Sequence, residues 1–168
     1  DVLLDHIAHH LARRKTLAGV NITVTAGPTQ EALDPVRYLT NHSTGRMGYA
    51  IAREAMLRGA NVTLVSGPTE LGTVTSAGDM FRAVQDLLPQ TDILIKAAAV
   101  ADYRPANVAE DKMKKKDGDL SIPLERTQDI LGWVAENRHP GLFVCGFSME
   151  TKDMIANSQA KLERKKLD

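Results

Sequence analysis

The chain has 168 residues, 43% of them apolar and 25% charged, with a formal net charge of zero. That length fits one domain with a sizeable core, and the composition is ordinary for a soluble globular fold. Zero net charge gives no bulk attraction to nucleic acid or to an anionic membrane, and no apolar run approaches a membrane span.

Residues 2–14 open with Val2, Leu3, Ile7 and Leu11 at helical spacing and carry no signal-peptide pattern. His6 and His10 stand one turn apart and could share a metal, but no acid or cysteine completes a ligand set, which favours a solvated helix face. A β-branched run at 20–25 then predicts a strand, stopped by the turn signal Ala26-Gly27-Pro28-Thr29. The next helical pattern, 47–58, begins about twenty residues later, where a βα connection usually needs roughly 2–6. Such an excess is either disordered or functional. Pro28 and Pro35 stiffen it, and Val36, Tyr38 and Leu39 offer anchors against a core, so order is expected. Its end, Asn41-His42-Ser43-Thr44-Gly45-Arg46-Met47-Gly48, puts small and hydroxylated residues at a helix start. That suits either an anion site or a capped, closely packed helix.

A strand at 61–65 ends in Ser66-Gly67-Pro68-Thr69, an echo of 26–29 that suggests two adjacent parallel strands building one crevice. A short helix at 78–88 precedes a buried strand at 93–100, whose end becomes small residues on which a flat ligand can lie. Asp102 follows, where open α/β sheets bind ligands. Residues 103–123 have no clean period. Their run Lys112-Met113-Lys114-Lys115-Lys116 is either a solvated charge cluster or a mobile lid, and 107–119 is expected to move. A helix at 128–136 holds Trp133 for packing. The strand at 142–145 contains Cys145, a small core residue. As the single cysteine it excludes an internal disulfide and fits a reducing, cytoplasmic compartment. In the last helix, 151–167, Lys161 and Lys165 stand i, i+4 and can point the same way. Both ends of the chain read as cuts in a longer protein.

This alternation predicts an α/β fold: a Rossmann-like parallel sheet with helices on both faces. The expected crevice gathers Gly27, the 41–48 turn, Ser66, Ala98 through Asp102, and Phe147. No Ser/His/Asp set, zinc motif, Walker loop or redox cysteine pair is present.

Five segments together resemble the bacterial phosphopantothenoylcysteine synthetase domain. They are Gly27-Pro28-Thr29, Asp34-Pro35-Val36-Arg37, Asn41-His42-Ser43-Thr44-Gly45, Ala98-Ala99-Val100-Ala101-Asp102-Tyr103 and Lys112-Met113-Lys114-Lys115. In that family the domain usually follows a flavin-dependent decarboxylase in coenzyme A synthesis. The resemblance implies that 1–16 is a linker helix from the decarboxylase and that 17–168 is the synthetase domain, truncated at its C-terminus. It implies a ligation of 4′-phosphopantothenate with L-cysteine through an acyl-cytidylate, using CTP and Mg²⁺. FMN is expected only on the decarboxylase domain, and a homodimer through the missing C-terminal part. By motif match, Asn41, Arg37 and Lys112 are catalytic. Gly27, Ser43, Gly45, Ser66, Ala98, Asp102, Lys112, Thr127, Gln128, Asp129, Ile130, Phe147, Lys161 and Lys165 meet the nucleotide, and no protein metal ligand is assigned. Thr44 and Arg46 depart from the usual serine and lysine, and Thr127-Gln128 from the usual Asn-Pro. Alternatives are an NAD(P)-dependent reductase, against which stands Ser66-Gly67 where an acid should meet the ribose, and a nucleotide-binding module without turnover.

Overall fold

A computed structural model of the protein describes residues 2–12, 14–115, 117–149 and 152–168. Helix α1 (Val2–Leu11) leads to β1 (Asn21–Ala26), buried from its second residue onward. The long connection then folds into a hairpin of β2 (Gln30–Ala32) and β3 (Tyr38–Thr40) before α2 (Arg46–Leu57) and β4 (Asn61–Ser66). Next come α3 (Ala77–Leu87), β5 (Ile93–Lys96), and two short antiparallel strands, β6 (Tyr103–Pro105) and β7 (Leu124–Arg126). Helix α4 (Ile130–Asn137), β8 (Phe143–Gly146) and α5 (Met154–Arg164) complete the described chain. Thr151, in the predicted last helix, lies outside the described residues.

The central sheet has the order β4-β1-β5-β8, with every neighbouring pair parallel. Helices α3 and α4 cover one face, where Met80, Val84, Leu94, Val134, Leu142 and Val144 form a closed core. Each such side chain contributes roughly 1.5–3 kcal/mol by leaving water. Helix α2 covers the other face over β1, with Ala52 and Ala55 against Ile22 and Val24. It approaches so closely that a Cβ on Gly48 would lie 2.6 Å from the Ala26 Cβ. Beyond α2 the same face is open, and Ile93, Ile95, Phe143 and Cys145 line an apolar groove. Cys145 is therefore a groove residue, half-buried rather than part of the closed core.

Three sequence expectations change in detail. Val36 and Tyr38 do not anchor the long connection, being 59% and 51% exposed. Buried polar groups hold it instead: Thr29, Glu31 and Asp34, with Glu31 accepting the Ala77 N–H at 2.8 Å. The strand predicted to reach residue 100 ends at Lys96, because β1 runs out beside it and the backbone beyond passes from the last residues of β1 to the turn that follows. Ala97 N–H donates to Thr25 and Ala99 N–H to Gly27. The apolar side predicted for the last helix is unburied, with Met154 and Ile155 exposed. Trp133 packs as expected, edge-to-face on Phe81 at 5.7 Å. On α1, His9 Nδ1 lies 2.9 Å from the Met56 carbonyl, and no three His, Cys, Asp or Glu side chains converge among the described residues.

The two echoing turns do sit side by side on adjacent strands. Gly67 N–H donates to Ala26 O at 2.9 Å, and a Cβ on Gly67 would fall 1.6 Å from the Pro28 carbonyl oxygen. Gly67→Ala is therefore expected to lower stability by about 3 kcal/mol in urea unfolding, because both neighbours are backbone. Gly78→Ala, inside α3 with its nearest neighbour at 3.7 Å, should be neutral or slightly stabilising. Equal effects of the two substitutions would contradict this packing.

Candidate functional site

From β1 the chain crosses to β4 on one side, and from β5 it crosses to β8 on the other, so the connections leaving these two adjacent strands part in opposite directions. Ligands of open α/β sheets bind at such a switch. On the β8 side of that switch a cavity of about 640 Å³ opens beside the ends of β5 and β8, under the start of α4 and one flank of α5. Its floor is the 97–102 segment, laced to its surroundings. Ala101 N–H donates to Thr29 Oγ1 at 3.0 Å, Thr127 Oγ1 donates to Ala101 O at 2.6 Å, and Thr127 N–H to Asp102 O at 3.0 Å.

Charge distinguishes this cavity. Lys96, Arg126, Lys161, Arg164 and Lys165 line it, against the carboxylates Asp102 and Asp129. Asp129 caps α4 by accepting the Gly132 N–H at 3.0 Å and is ion-paired with Lys165. Burial pushes its carboxyl up, but Lys165 and the Gly132 N–H outweigh that and hold it below the usual range. Lys161 donates to the Phe147 carbonyl at 3.1 Å. Burial, with Lys161 adding repulsion, pushes the Lys96 ammonium down to about 8, against the pull of Asp102 and Asp129. A concave site with surplus cations suits an anionic ligand.

Of the residues singled out in the sequence, Ala98, Asp102, Thr127, Gln128, Asp129, Ile130, Phe147, Lys161 and Lys165 line this one cavity. The others lie apart from it. Ser66 is fully buried, 2.6 Å from the Tyr49 hydroxyl and 3.0 Å from the Gly67 carbonyl that it donates to. Gly27 turns the backbone at φ 75° and accepts the Ala99 N–H. Gly45 precedes α2 at φ 74° without a side-chain cap, and its N–H donates to Ser43 Oγ at 3.3 Å. The first N–H groups of α2 are thus left without a side-chain cap from Gly45. Asn41 connects the two regions, its amide donating to the Ala99 carbonyl at 3.2 Å.

Arg37 and Lys112 belong to a clamp. Asp34 accepts from the N–H groups of Val36, Arg37 and Met113 at 2.9, 2.8 and 3.0 Å, and is ion-paired with the Arg37 guanidinium. That guanidinium also donates to the Met113 carbonyl at 2.9 Å. Arg37, beside it and bonded to it, holds the Asp34 carboxyl far below the usual carboxylate range, burial opposing. Ala109 N–H donates to Leu33 O at 3.0 Å. The 107–119 segment expected to be free is tied at 109 and 113, which sets Lys112 next to the clamp; Lys116 lies outside the described residues.

Lys96, Arg126, Arg164 and Met149 were not anticipated. Two carried a signal. Lys96 is the one charge ending an apolar strand, and Arg164 stands i+3 from Lys161 on the same helix flank.

The family model of the DNA/pantothenate metabolism flavoprotein C-terminal domain matches residues 17–168. The coenzyme A biosynthesis bifunctional protein CoaBC of Vibrio vulnificus is 49% identical over 164 residues, 92% of this chain and 41% of that protein. CoaBC of Bacillus subtilis is 46% identical over 161 residues, 90% of this chain and 39% of that protein. The chain thus spans about two fifths of the length of the curated relatives it matches. Among solved structures, the C-terminal domain of CoaBC superposes with a TM-score of 0.78 at 43% identity, covering 90% of this chain and 75% of that one. A Cab2 variant in complex with phosphopantothenate-cysteine gives a TM-score of 0.67 over 99% of this chain and 77% of that one, at 16% identity, a likeness of fold alone.

The clamp has a direct test. Asp34→Asn keeps the size and removes the charge, so tryptic cleavage after Lys112 should accelerate by about tenfold as that segment opens. A depressed carboxyl pKa stabilises above the unfolded value near 4 and is lost as pH falls through the folded one. The wild-type segment should therefore stay protected at neutral pH and loosen only in strong acid. Unchanged cleavage in the variant would mean that Asp34 does not hold the segment.

Proposed function

The chain belongs to the DNA/pantothenate metabolism flavoprotein C-terminal domain family, and on that premise we propose that it is the ligase unit of coenzyme A biosynthesis. The resemblance read from its motifs is borne out at the level of the family. In this reading the carboxylate of 4′-phosphopantothenate attacks the α-phosphorus of CTP, expelling pyrophosphate and leaving an acyl-cytidylate. The amine of L-cysteine then attacks the acyl carbon, expelling CMP and forming the amide. The observation that carries the reading is the cation-rich cavity beside the ends of β5 and β8, lined by nine of the residues that the family motifs assign to the nucleotide.

The chain's residues divide the work. The cavity holds the nucleotide, with Lys161 and Lys165 on one flank and the 127–130 segment offering donors and acceptors to the base. Lys112, set beside the Arg37–Asp34 clamp, meets the phosphates, where charge shifts as pyrophosphate leaves. Asn41 spends one amide hydrogen on the Ala99 carbonyl and keeps a second for the acyl oxygen as cysteine attacks. Arg37 acts through the clamp as a positioning residue.

A magnesium ion fits this donor set only as one carried by the nucleotide. Asp129 is committed to Lys165 and Gly132, and no three candidate ligands converge among the described residues. Such an ion would neutralise phosphate charge. A fused flavin-dependent decarboxylase, a homodimer and a cytoplasmic setting belong to the same reading. No helix among the described residues is long and apolar enough to cross a membrane.

The test is pyrophosphate release with CTP and 4′-phosphopantothenate, followed by amide formation on adding cysteine. Release should require both substrates, and ATP should not replace CTP. Lys112→Gln should slow release by roughly 10²-fold, while Lys114→Gln should alter only its salt dependence. Release without 4′-phosphopantothenate, or equal small effects of both substitutions, would defeat the reading or the role of Lys112 respectively.

A further inference from the structure

Side chains alternate along a strand. In β5, Leu94 enters the closed core under α3 and α4, whereas Ile93 and Ile95 face the α2 side. Lys96 shares the side of Leu94 and reaches the cavity where that core ends. Around it, α5 presents Lys161, Arg164 and Lys165, the α4 cap presents Asp129, and the strand ends present Asp102, Tyr103 and Arg126. Asp129 is already paired with Lys165, and Lys161 with the Phe147 carbonyl. No hydrogen-bond acceptor for the Lys96 ammonium is found among the described residues. Half-buried in the cavity wall and repelled by Lys161, such an ammonium is well placed to meet something anionic.

We propose that Lys96 is an anion ligand inside the cavity, donating to a phosphate oxygen of the bound nucleotide and setting the preference for phosphorylated ligand over bare nucleoside. This rests on the nucleotide reading above. Lys161 and Lys165 each already hold one acceptor, the Phe147 carbonyl and Asp129, whereas Lys96 holds none among the described residues and enters the cavity from the sheet side. Its position also makes the preference depend on pH. With burial and Lys161 pushing its pKa down to about 8, Lys96 is mostly charged at neutral pH in the free protein. A phosphate beside it favours the charged form, so binding draws in a proton once pH exceeds that value. Phosphate affinity is then level up to neutral pH and falls by as much as about tenfold per pH unit above about 8.

The experiment is calorimetric titration of the wild-type protein, Lys96→Met and Lys96→Arg with CTP and with cytidine, from pH 7 to 9.5. Wild-type affinity for CTP should fall across this range while that for cytidine stays level. Lys96→Met should bind CTP at least tenfold more weakly at pH 7, with cytidine unchanged and no pH slope. Lys96→Arg should keep the neutral affinity and lose the slope, because its guanidinium stays charged throughout. The other charged groups around the cavity remain in all three proteins and cannot produce those differences. Should Lys96→Met not fold, the slope in Lys96→Arg decides alone. A slope equal to wild type in the arginine variant, or undiminished CTP affinity in the methionine variant, overturns the inference and leaves the nucleotide reading intact. Absence of CTP binding by the wild-type protein would instead overturn that reading, and this inference with it.

Discussion

At the carboxyl ends of β1 and β4, the Pro28 carbonyl occupies the space where a side chain at position 67 would begin, so two turns of like sequence lie backbone to backbone. This contact decides the shape of the ligand-binding end of the sheet. Backed by the second turn, the first leans toward β5 and bonds to its continuation: Gly27 accepts from Ala99, and Thr29 N–H donates to the Ala99 carbonyl at 3.2 Å. The Thr29 hydroxyl receives the Ala101 N–H. The 97–101 backbone thereby becomes a fixed floor rather than a loose loop, and Asn41 is set against it through Ala99. A site that must align several reacting groups needs such rigidity more than it needs a particular side chain there.

Much of the fold was readable because its strands are short β-branched or apolar runs bounded by turn residues, and its helices carry caps or glycine stops. The echo of 26–29 in 66–69 correctly placed β1 beside β4. What could not be read is how the long connection is held. Apolar residues at 36 and 38 suggested anchors, yet they point to solvent. The work falls to Thr29, Glu31 and Asp34, whose side chains are buried because each meets backbone N–H or carbonyl groups distant in sequence. Polar residues buried for hydrogen bonding look, in a sequence, the same as polar residues in a solvated loop.

The candidate site divides similarly. Residues that follow strand ends, such as Ala98, Asp102 and Phe147, were legible from topology, and Lys161 with Lys165 from helical spacing. Ser66, expected just past a strand, is instead the last residue of β4 and is turned inward onto Tyr49. Motif order made Lys112 visible as a residue, while its tether through Met113 to Asp34 spans 79 positions and leaves no local trace. Arg126 escaped because the β6–β7 ribbon that presents it has no hydrophobic alternation to announce a strand.

Helix α5 forms one wall of the cavity without burying a single residue. Its attachments are polar: Lys165 to Asp129, Lys161 to Phe147, and just beyond it the Lys166 carbonyl to Arg138 at 2.6 Å. Leu167, past its end, adds an apolar contact with the core. Attractions of this kind are screened over a Debye length of about 8 Å at physiological ionic strength. Salt therefore acts on this cavity twice, once by competing for its cations and once by loosening the helix that carries three of them. An incoming polyanion does the reverse, drawing those same cations inward, so the wall is firmest when the site is full.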